Sequence, residues 1–273
     1  MPYLTADDGE KLYYTDQGKG KTIFFIHGWM ASHLEFEGNI AYLSKKFRCV
    51  TMDVRGHGFS GRVEKNLSLS QAAKDAYRIM EELDLKDVFL VGHSMGAVIC
   101  MHYVKQFGNE RLKGVCFIDQ PPKMINDNKW KYGSVDLEGA RQVETMFYTQ
   151  FEMIASNLAS LNYAPDNQPS PERLAVLQDA MEKMMRNMSK HAIIAFWNEL
   201  CIYDFRRLMT KFPVPLLGCM GYRSMAYPAH PGIWYKENVP KCTIVDFMES
   251  GHLVNIDEEE KFNTTIEKFV DSL

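Results

Sequence analysis

The stretch VGHSMGA, residues Val91–Ala97, decides the fold. An apolar run of strand length, Val88–Gly92, leads into it, and a segment with helical spacing, Ala97–Phe107, follows it. A serine between two glycines at such a strand-to-helix turn lifts its hydroxyl above the edge of a sheet, and the small glycines prevent steric clashes. The stretch therefore predicts that Ser94 is a nucleophile at the carboxyl end of a strand.

Similar apolar runs recur along the chain, and segments with helical spacing, such as Leu69–Leu83, lie between several of them. Strands that are apolar on both faces and alternate with helices are typical of a mostly parallel sheet covered on both sides. The sequence therefore predicts a doubly wound α/β fold. Its predicted strands are Thr22–His27, Cys49–Asp53, Val88–Gly92, Gly114–Asp119, Pro215–Met220 and Thr243–Phe247.

The alternation of strands and helices stops after Asp119. From residue 123 to residue 210 the sequence has a helical period, is rich in methionine and aromatic residues, and lacks convincing strands. Strand signals resume at Val214. We therefore predict a core formed by residues 1–122 and 211–273, with residues 123–210 inserted as a helical cap.

Composition limits the partners and the compartment. The 273 residues include 31 basic and 35 acidic side chains, so the net charge is −4, and no long basic run offers the surface that nucleic acids need. No apolar run reaches the length of about 18 residues that a membrane-spanning helix requires. Residues 1–20 are polar, unlike a secretory signal. The sequence thus argues against nucleic-acid and membrane partners and predicts a cytoplasmic protein.

Cysteines and candidate metal ligands are scattered along the sequence. The six cysteines show no paired short spacing, which favours free thiols in a reducing compartment. No clustered metal ligands and no nucleotide-binding loop are present, so we expect neither a metal nor an organic cofactor. No feature of the sequence predicts the oligomeric state.

A serine hydroxyl needs a base to take its proton, and histidine has a pKa suited to that task. Among the eight histidines, His252 is placed best because it follows the last predicted strand and precedes the C-terminal helix. His27, His57 and His93 lie in tight-turn motifs and are interpreted as structural. We therefore predict that His252 is the general base.

Attack by a serine on a carbonyl creates an oxyanion that backbone N–H groups must stabilise. In a turn of this type, one donor is the N–H of the residue after the nucleophile, here Met95, and the second comes from the loop after an earlier strand. That loop reads His27-Gly28-Trp29. We predict Trp29 as the second donor, with its indole lining the acyl pocket.

Four motifs together resemble the α/β-hydrolase superfamily, and within it the small capped esterases, non-haem haloperoxidases and lactonases. The motifs are HGW at residues 27–29, DVRGHGFS at residues 53–60, the turn around Ser94, and SGH at residues 250–252. The resemblance covers both core segments and leaves the cap unmatched. It implies a serine, histidine and carboxylate triad.

The carboxylate of that triad departs from the usual family pattern. Family members generally carry it in the turn after the strand that follows the cap, but this turn reads Gly221-Tyr222-Arg223-Ser224, and Phe205–Lys236 contains no Asp or Glu. Some members carry the acid after the strand before the cap, where this chain has Asp119. The resemblance therefore implies Asp119 as the acid.

Other assignments of the acid stay open at this stage. Asp119 has an alternative role in capping the start of the cap segment. Asp246 and Glu249 lie near His252 in sequence. A dyad without a carboxylate, in which Ser224 or a backbone carbonyl orients His252, is a further alternative.

The leading hypothesis is hydrolysis of a small or medium acyl ester through a covalent intermediate on Ser94. Candidate pocket residues are Trp29, Phe36, Phe147, Phe151 and Trp197. The alternatives are perhydrolysis of the haloperoxidase type, in which peroxide replaces water, and lactonase activity. A third class is a signalling receptor that keeps the hydrolase site as a ligand pocket. Turnover far below the enzyme range would favour the receptor.

Overall fold

The computed structural model describes residues 3–61, 63–163, 168–185 and 187–273. Within them one sheet of eight strands runs through the molecule in the order β1-β2-β4-β3-β5-β6-β7-β8. The strands are β1 (Tyr3–Thr5), β2 (Lys11–Gln17), β3 (Thr22–Ile26), β4 (Arg48–Met52), β5 (Val88–His93), β6 (Leu112–Ile118), β7 (Leu216–Gly221) and β8 (Cys242–Phe247).

Strands β3 to β8 pair in parallel, as the apolar runs predicted. Strands β1 and β2 add an antiparallel edge, in which β2 pairs with β4. These two strands were not predicted, because their residues are mostly polar and only partly buried. An antiparallel edge strand tolerates solvent on one face, so it lacks the continuous apolar run of a buried parallel strand.

Helices cover both faces of the sheet. One face packs on α1 and α12, and the other on α2, α3 and α10. The helices in chain order are α1 (Glu37–Leu43), α2 (Leu69–Glu82), α3 (Met95–Phe107), α4 (Leu137–Thr149), α5 (Phe151–Ser156), α6 (Leu158–Leu161), α7 (Pro171–Met185), α8 (Lys190–Ile202), α9 (Arg206–Met209), α10 (Gly232–Asn238), α11 (Val254–Asp257) and α12 (Glu259–Asp271).

The segment between β6 and β7 contains α4 to α9 and, over its described residues, adds no strand to the sheet. Its helices α7 and α8 reach over the carboxyl ends of the parallel strands, where Met184 and Trp197 line a cavity together with Ser94. No helix in the described ranges is long and apolar enough to cross a membrane.

Parallel strands bring their carboxyl ends to one edge of the sheet, which is where ligands bind in α/β folds. Ser94 follows β5, Asp119 follows β6, and His252 lies in the loop after β8. The topology therefore gathers at one edge three side chains that are far apart in sequence.

Candidate active site

Ser94 sits on a strained turn between β5 and α3. Its backbone has φ 49° and ψ −117°, a conformation that residues other than glycine rarely adopt. A Cβ on Gly92 would lie 2.4 Å from the backbone of Gly96, and a Cβ on Gly96 would lie 2.1 Å from the carbonyl oxygen of Ile26. Both glycines are therefore required for β3, β5 and α3 to pack closely around the turn.

His252 and Asp119 are in direct polar contact. Oδ2 of Asp119 lies 2.6 Å from Nδ1 of His252, and the Asp119 side chain is almost fully buried. A carboxylate only accepts hydrogen bonds, so Nδ1 of His252 carries the proton of the neutral ring. Nε2 is then the unprotonated nitrogen, which is the tautomer that a general base needs.

Asp119 is held by two further hydrogen bonds. The hydroxyl of Ser224 donates to Oδ2 at 2.6 Å, and the N–H of Gly221 donates to Oδ1 at 3.1 Å. The Asp119 backbone adopts φ 44°, which turns the chain at the end of β6. Three donors fix the carboxylate in one orientation toward His252.

The other candidates for the acid lie elsewhere. Asp246 is within 3.4 Å of both Lys236 and His230, and Glu249 pairs with Arg223. The hydroxyl of Ser224 donates to the carboxylate of Asp119. Among the described residues, Asp119 is therefore the carboxylate that contacts the ring of His252.

Burial lowers the pKa of His252 below its ordinary value, although the hydrogen bond to Asp119 acts in the opposite direction. A lowered pKa leaves the imidazole uncharged at neutral pH. His252 is thus in the protonation state that a general base needs.

The predicted oxyanion donors are the backbone N–H groups of Met95 and Trp29. Met95 is the first residue of α3, so its N–H has no acceptor within the helix. Trp29 lies in the loop directly after β3. Within the described ranges, neither N–H donates a hydrogen bond, whereas the neighbouring Gly28 N–H donates to Glu35. Within the described residues, both predicted oxyanion donors are therefore free to bind a ligand oxygen.

Ser94 and His252 open into a cavity of about 210 Å³ whose walls are mainly apolar. Trp29 and Trp197 line it, as the sequence analysis expected, and their rings lie 5.2 Å apart. The other lining residues are Met30, Ala31, Glu35, His93, Met124, Ser134, Asn162, Met181, Met184, Leu200, Ala226, Tyr227 and Leu253.

Three predicted pocket residues do not line the cavity, so those predictions are wrong. Phe36 is fully buried in the core on the α1 and α12 side, 5.0 Å from the ring of Phe25. Phe147 packs behind Trp29 at 4.8 Å, and Phe151 packs behind Phe147. An aromatic residue in a helix faces either the core or the pocket. The hydrophobic pattern of the sequence alone does not say which.

Three ionisable residues that were not predicted as pocket residues, Glu35, His93 and Tyr227, also line the cavity. Glu35 lies 2.8 Å from His93, and Tyr227 donates from its hydroxyl to Oε1 of Gln120 at 2.7 Å. The Tyr227 ring lies 5.7 Å from that of His252.

Metal ligation has no visible basis at this site. Over the residues that the structure describes, no three or more His, Cys, Asp or Glu side chains gather in a way that could hold a metal ion. The six cysteines are all free, and Cys49, Cys100, Cys116 and Cys219 are buried.

Known proteins share this sequence pattern and fold. The profile of the alpha/beta hydrolase fold matches residues 21–193. A non-heme chloroperoxidase from Kitasatospora aureofaciens is 26% identical over 275 residues, covering 99% of each chain. A bifunctional esterase/perhydrolase from Acinetobacter calcoaceticus is 24% identical over 280 residues, covering 100% of each chain. The solved structure of an esterase from Exiguobacterium antarcticum superposes with a TM-score of 0.91 at 24% identity, covering 98% of each chain.

Proposed function

This chain belongs to the α/β-hydrolase superfamily, and on that basis we propose that it is a serine hydrolase that cleaves carboxylic esters with a small or medium acyl group. The observation that carries the proposal is the 2.6 Å contact between Asp119 and His252, beside a cavity that Ser94 and His252 both line. A nucleophile, a base and an orienting carboxylate are the parts that acyl transfer needs.

Acylation begins when Oγ of Ser94 attacks the carbonyl carbon of the ester and His252 accepts the hydroxyl proton on Nε2. The carbonyl oxygen becomes an oxyanion, which the N–H groups of Trp29 and Met95 stabilise. The intermediate then collapses, the C–O bond to the alcohol breaks, and the imidazolium of His252 gives its proton to the leaving alcohol. Asp119 stabilises that imidazolium through Nδ1.

Deacylation repeats the same steps with water as the nucleophile. His252 takes a proton from water, the hydroxide oxygen attacks the acyl carbon, and the bond to Oγ of Ser94 breaks. The proton on His252 returns to Ser94. The products are a carboxylic acid and the free enzyme.

The size of the cavity supports a short acyl group. At about 210 Å³ it is smaller than the usual range for drug-sized ligands, which begins at about 300 Å³. Met181, Met184 and Leu200 from the helices between β6 and β7 line it. An acyl chain of a few carbons fits these walls, and a long fatty acyl chain does not.

Hydrolysis of p-nitrophenyl esters from acetate to octanoate tests the proposal. We expect the highest kcat/KM for the short chains, and we expect Ser94→Ala to lower turnover by a factor on the order of 10⁶. Ser272→Ala, at an exposed serine after α12, is the matched control and should behave like the wild type. A Ser94→Ala protein that keeps a tenth of the wild-type rate, with contaminating esterase excluded, overturns the assignment.

Perhydrolysis is the second candidate, because one relative that spans the whole chain is named an esterase/perhydrolase and another a non-heme chloroperoxidase. Hydrogen peroxide would replace water in deacylation, so that the peroxide oxygen attacks the acyl carbon and a peracid leaves with Ser94 regenerated. Peracid formation measured against acid formation, with one ester and graded peroxide, separates the two reactions.

A further inference from the structure

Two ionisable side chains that the proposed mechanism does not use line the cavity. Glu35 and His93 are both buried, and Oε1 of Glu35 lies 2.8 Å from Nδ1 of His93. The contact is close, but the ring N–H is not aligned on the oxygen. Both residues line the same cavity as Ser94 and His252. A buried pair at this place needs an explanation beyond packing.

The Glu35 side chain holds the loop that carries an oxyanion donor. Its Oε2 accepts the N–H of Gly28 at 2.8 Å, and Gly28 directly precedes Trp29. A Cβ on Gly28 would lie 2.7 Å from Nδ1 of His93, so the loop packs tightly on the pair. The direction of the Trp29 N–H is therefore tied to the position of the Glu35 carboxylate.

The backbone of Glu35 is hydrogen-bonded to the segment that contains His252. Its carbonyl oxygen accepts from Nδ2 of Asn255 at 3.2 Å, and Asn255 lies in α11, three residues after His252. Glu35 thus contacts both the oxyanion loop and the chain that positions His252.

His93 completes the connection. It directly precedes Ser94, and its Nε2 lies 3.0 Å from the carbonyl oxygen of His252. A carbonyl oxygen only accepts, so Nε2 carries a proton. Burial opposes protonation, but the charge of Glu35 raises the pKa of His93, while His93 holds the pKa of Glu35 low despite its burial. Each partner therefore favours the charged form of the other.

We infer that Glu35 and His93 act as a positioning pair, which fixes the oxyanion loop, the Ser94 turn and the His252 segment relative to one another. The inference rests on the proposed function, because it concerns the geometry of acyl transfer. The pair depends on the length of the Glu35 side chain, which extends from the N–H of Gly28 to the ring of His93. Misplacing reacting groups by about 1 Å costs on the order of 10² in rate.

Two variants of Glu35 separate reach from charge. Glu35→Gln removes the charge but keeps the length, so that its amide oxygen accepts from Gly28 and its amide N–H donates to a neutral His93. Glu35→Asp keeps the charge but is one methylene too short to contact both partners. We expect Glu35→Gln to keep most of the wild-type kcat, and Glu35→Asp to lose kcat on the order of 10² with KM nearly unchanged.

A small alkylboronic acid provides a second measurement. It binds reversibly when Oγ of Ser94 forms a bond to boron and His252 accepts the serine proton, which places a boron-bound oxygen at the N–H groups of Trp29 and Met95. Its inhibition constant should rise in Glu35→Asp by about the same factor as kcat/KM falls, because both report transition-state geometry. A purely structural role would lower the melting temperature and leave both quantities unchanged per folded molecule.

The matched control is a second buried ion pair that does not line the cavity. Asp75 and Arg55 pair at 2.6 Å with both side chains buried, so Asp75→Asn should lower the melting temperature without changing kcat. Should Glu35→Asp not fold, His93→Asn carries the same expectation, because it no longer reaches the carbonyl of His252.

Normal kcat and boronate affinity in folded Glu35→Asp, or in folded His93→Asn where Glu35→Asp does not fold, overturn the inference. Equal impairment of Glu35→Gln and Glu35→Asp also overturns it, since the charge of Glu35 would then matter as much as its reach. Failure of the proposed function looks different, because the wild type itself would neither hydrolyse esters nor bind the boronate.

Discussion

The hydroxyl of Ser224 donates to Oδ2 of Asp119, with 2.6 Å between the two oxygens. The same carboxylate oxygen faces Nδ1 of His252. Ser224 lies in the turn after β7. The proteins that this chain resembles generally carry the triad acid in that turn. In this chain a carboxylate from the end of β6 contacts the histidine, and the residue after β7 supports that carboxylate.

Asp119→Asn should keep the fold and lower kcat on the order of 10⁴, because an amide does not enforce the Nδ1–H tautomer of His252. KM should change little, since Asp119 does not line the cavity. Steady-state ester hydrolysis at saturating substrate measures the loss. An Asp119→Asn enzyme of near-normal activity would show that no carboxylate is needed at this position.

Ser224→Asp in the Asp119→Asn background should recover part of the lost activity. Ser224 lies within hydrogen-bond reach of the Asp119 carboxylate, so an aspartate there brings a carboxylate oxygen close to the ring of His252. The comparison is between the single and the double variant on the same ester. Ser224→Asp with Asp119 intact is the control, and it should not gain activity, because two adjacent carboxylates repel each other.

The pH profile of kcat/KM reports the base. Burial lowers the pKa of His252, and only the neutral ring accepts the proton of Ser94. Activity should therefore be full at neutral pH and fall as the pH drops through a value below about 6.5, the ordinary histidine pKa. Half-maximal kcat/KM at a pH above that value would contradict the assignment of a buried neutral imidazole.

The cavity wall should set the preferred acyl length. Leu200→Ala removes a lining side chain of α8, and the enlarged cavity should move the optimum of the p-nitrophenyl ester series toward longer chains. Leu137→Ala, at an exposed position of α4, is the control and should keep the short-chain optimum. An unchanged optimum in Leu200→Ala would place the acyl group elsewhere.

Much of the fold follows from local patterns, and part of the site does not. The parallel strands could be predicted because each is an apolar run, and Ser94 because its turn needs two glycines. The contact of Asp119 with His252 could be anticipated only through the resemblance, since it joins residues that are far apart in sequence. Phe36 and Phe147 were misplaced, because burial and pocket lining have the same sequence pattern.

Glu35 and His93 show the other limit of sequence reasoning. Their pairing depends on how the loop after β3 folds onto the Ser94 turn, which no periodicity encodes. Each residue alone looks like an ordinary polar residue in a turn. Only the three-dimensional contacts give the pair a role.

Covalent labelling identifies the nucleophile. A fluorophosphonate reagent reacts with an activated serine, because Oγ displaces fluoride from phosphorus and leaves a stable phosphonyl ester. Intact-mass and peptide mass spectrometry should find one adduct per chain, on the peptide that contains Ser94, and none in Ser94→Ala. An ester-hydrolysing wild type that takes no adduct, or takes it at another residue, would contradict the claim that Ser94 is the nucleophile.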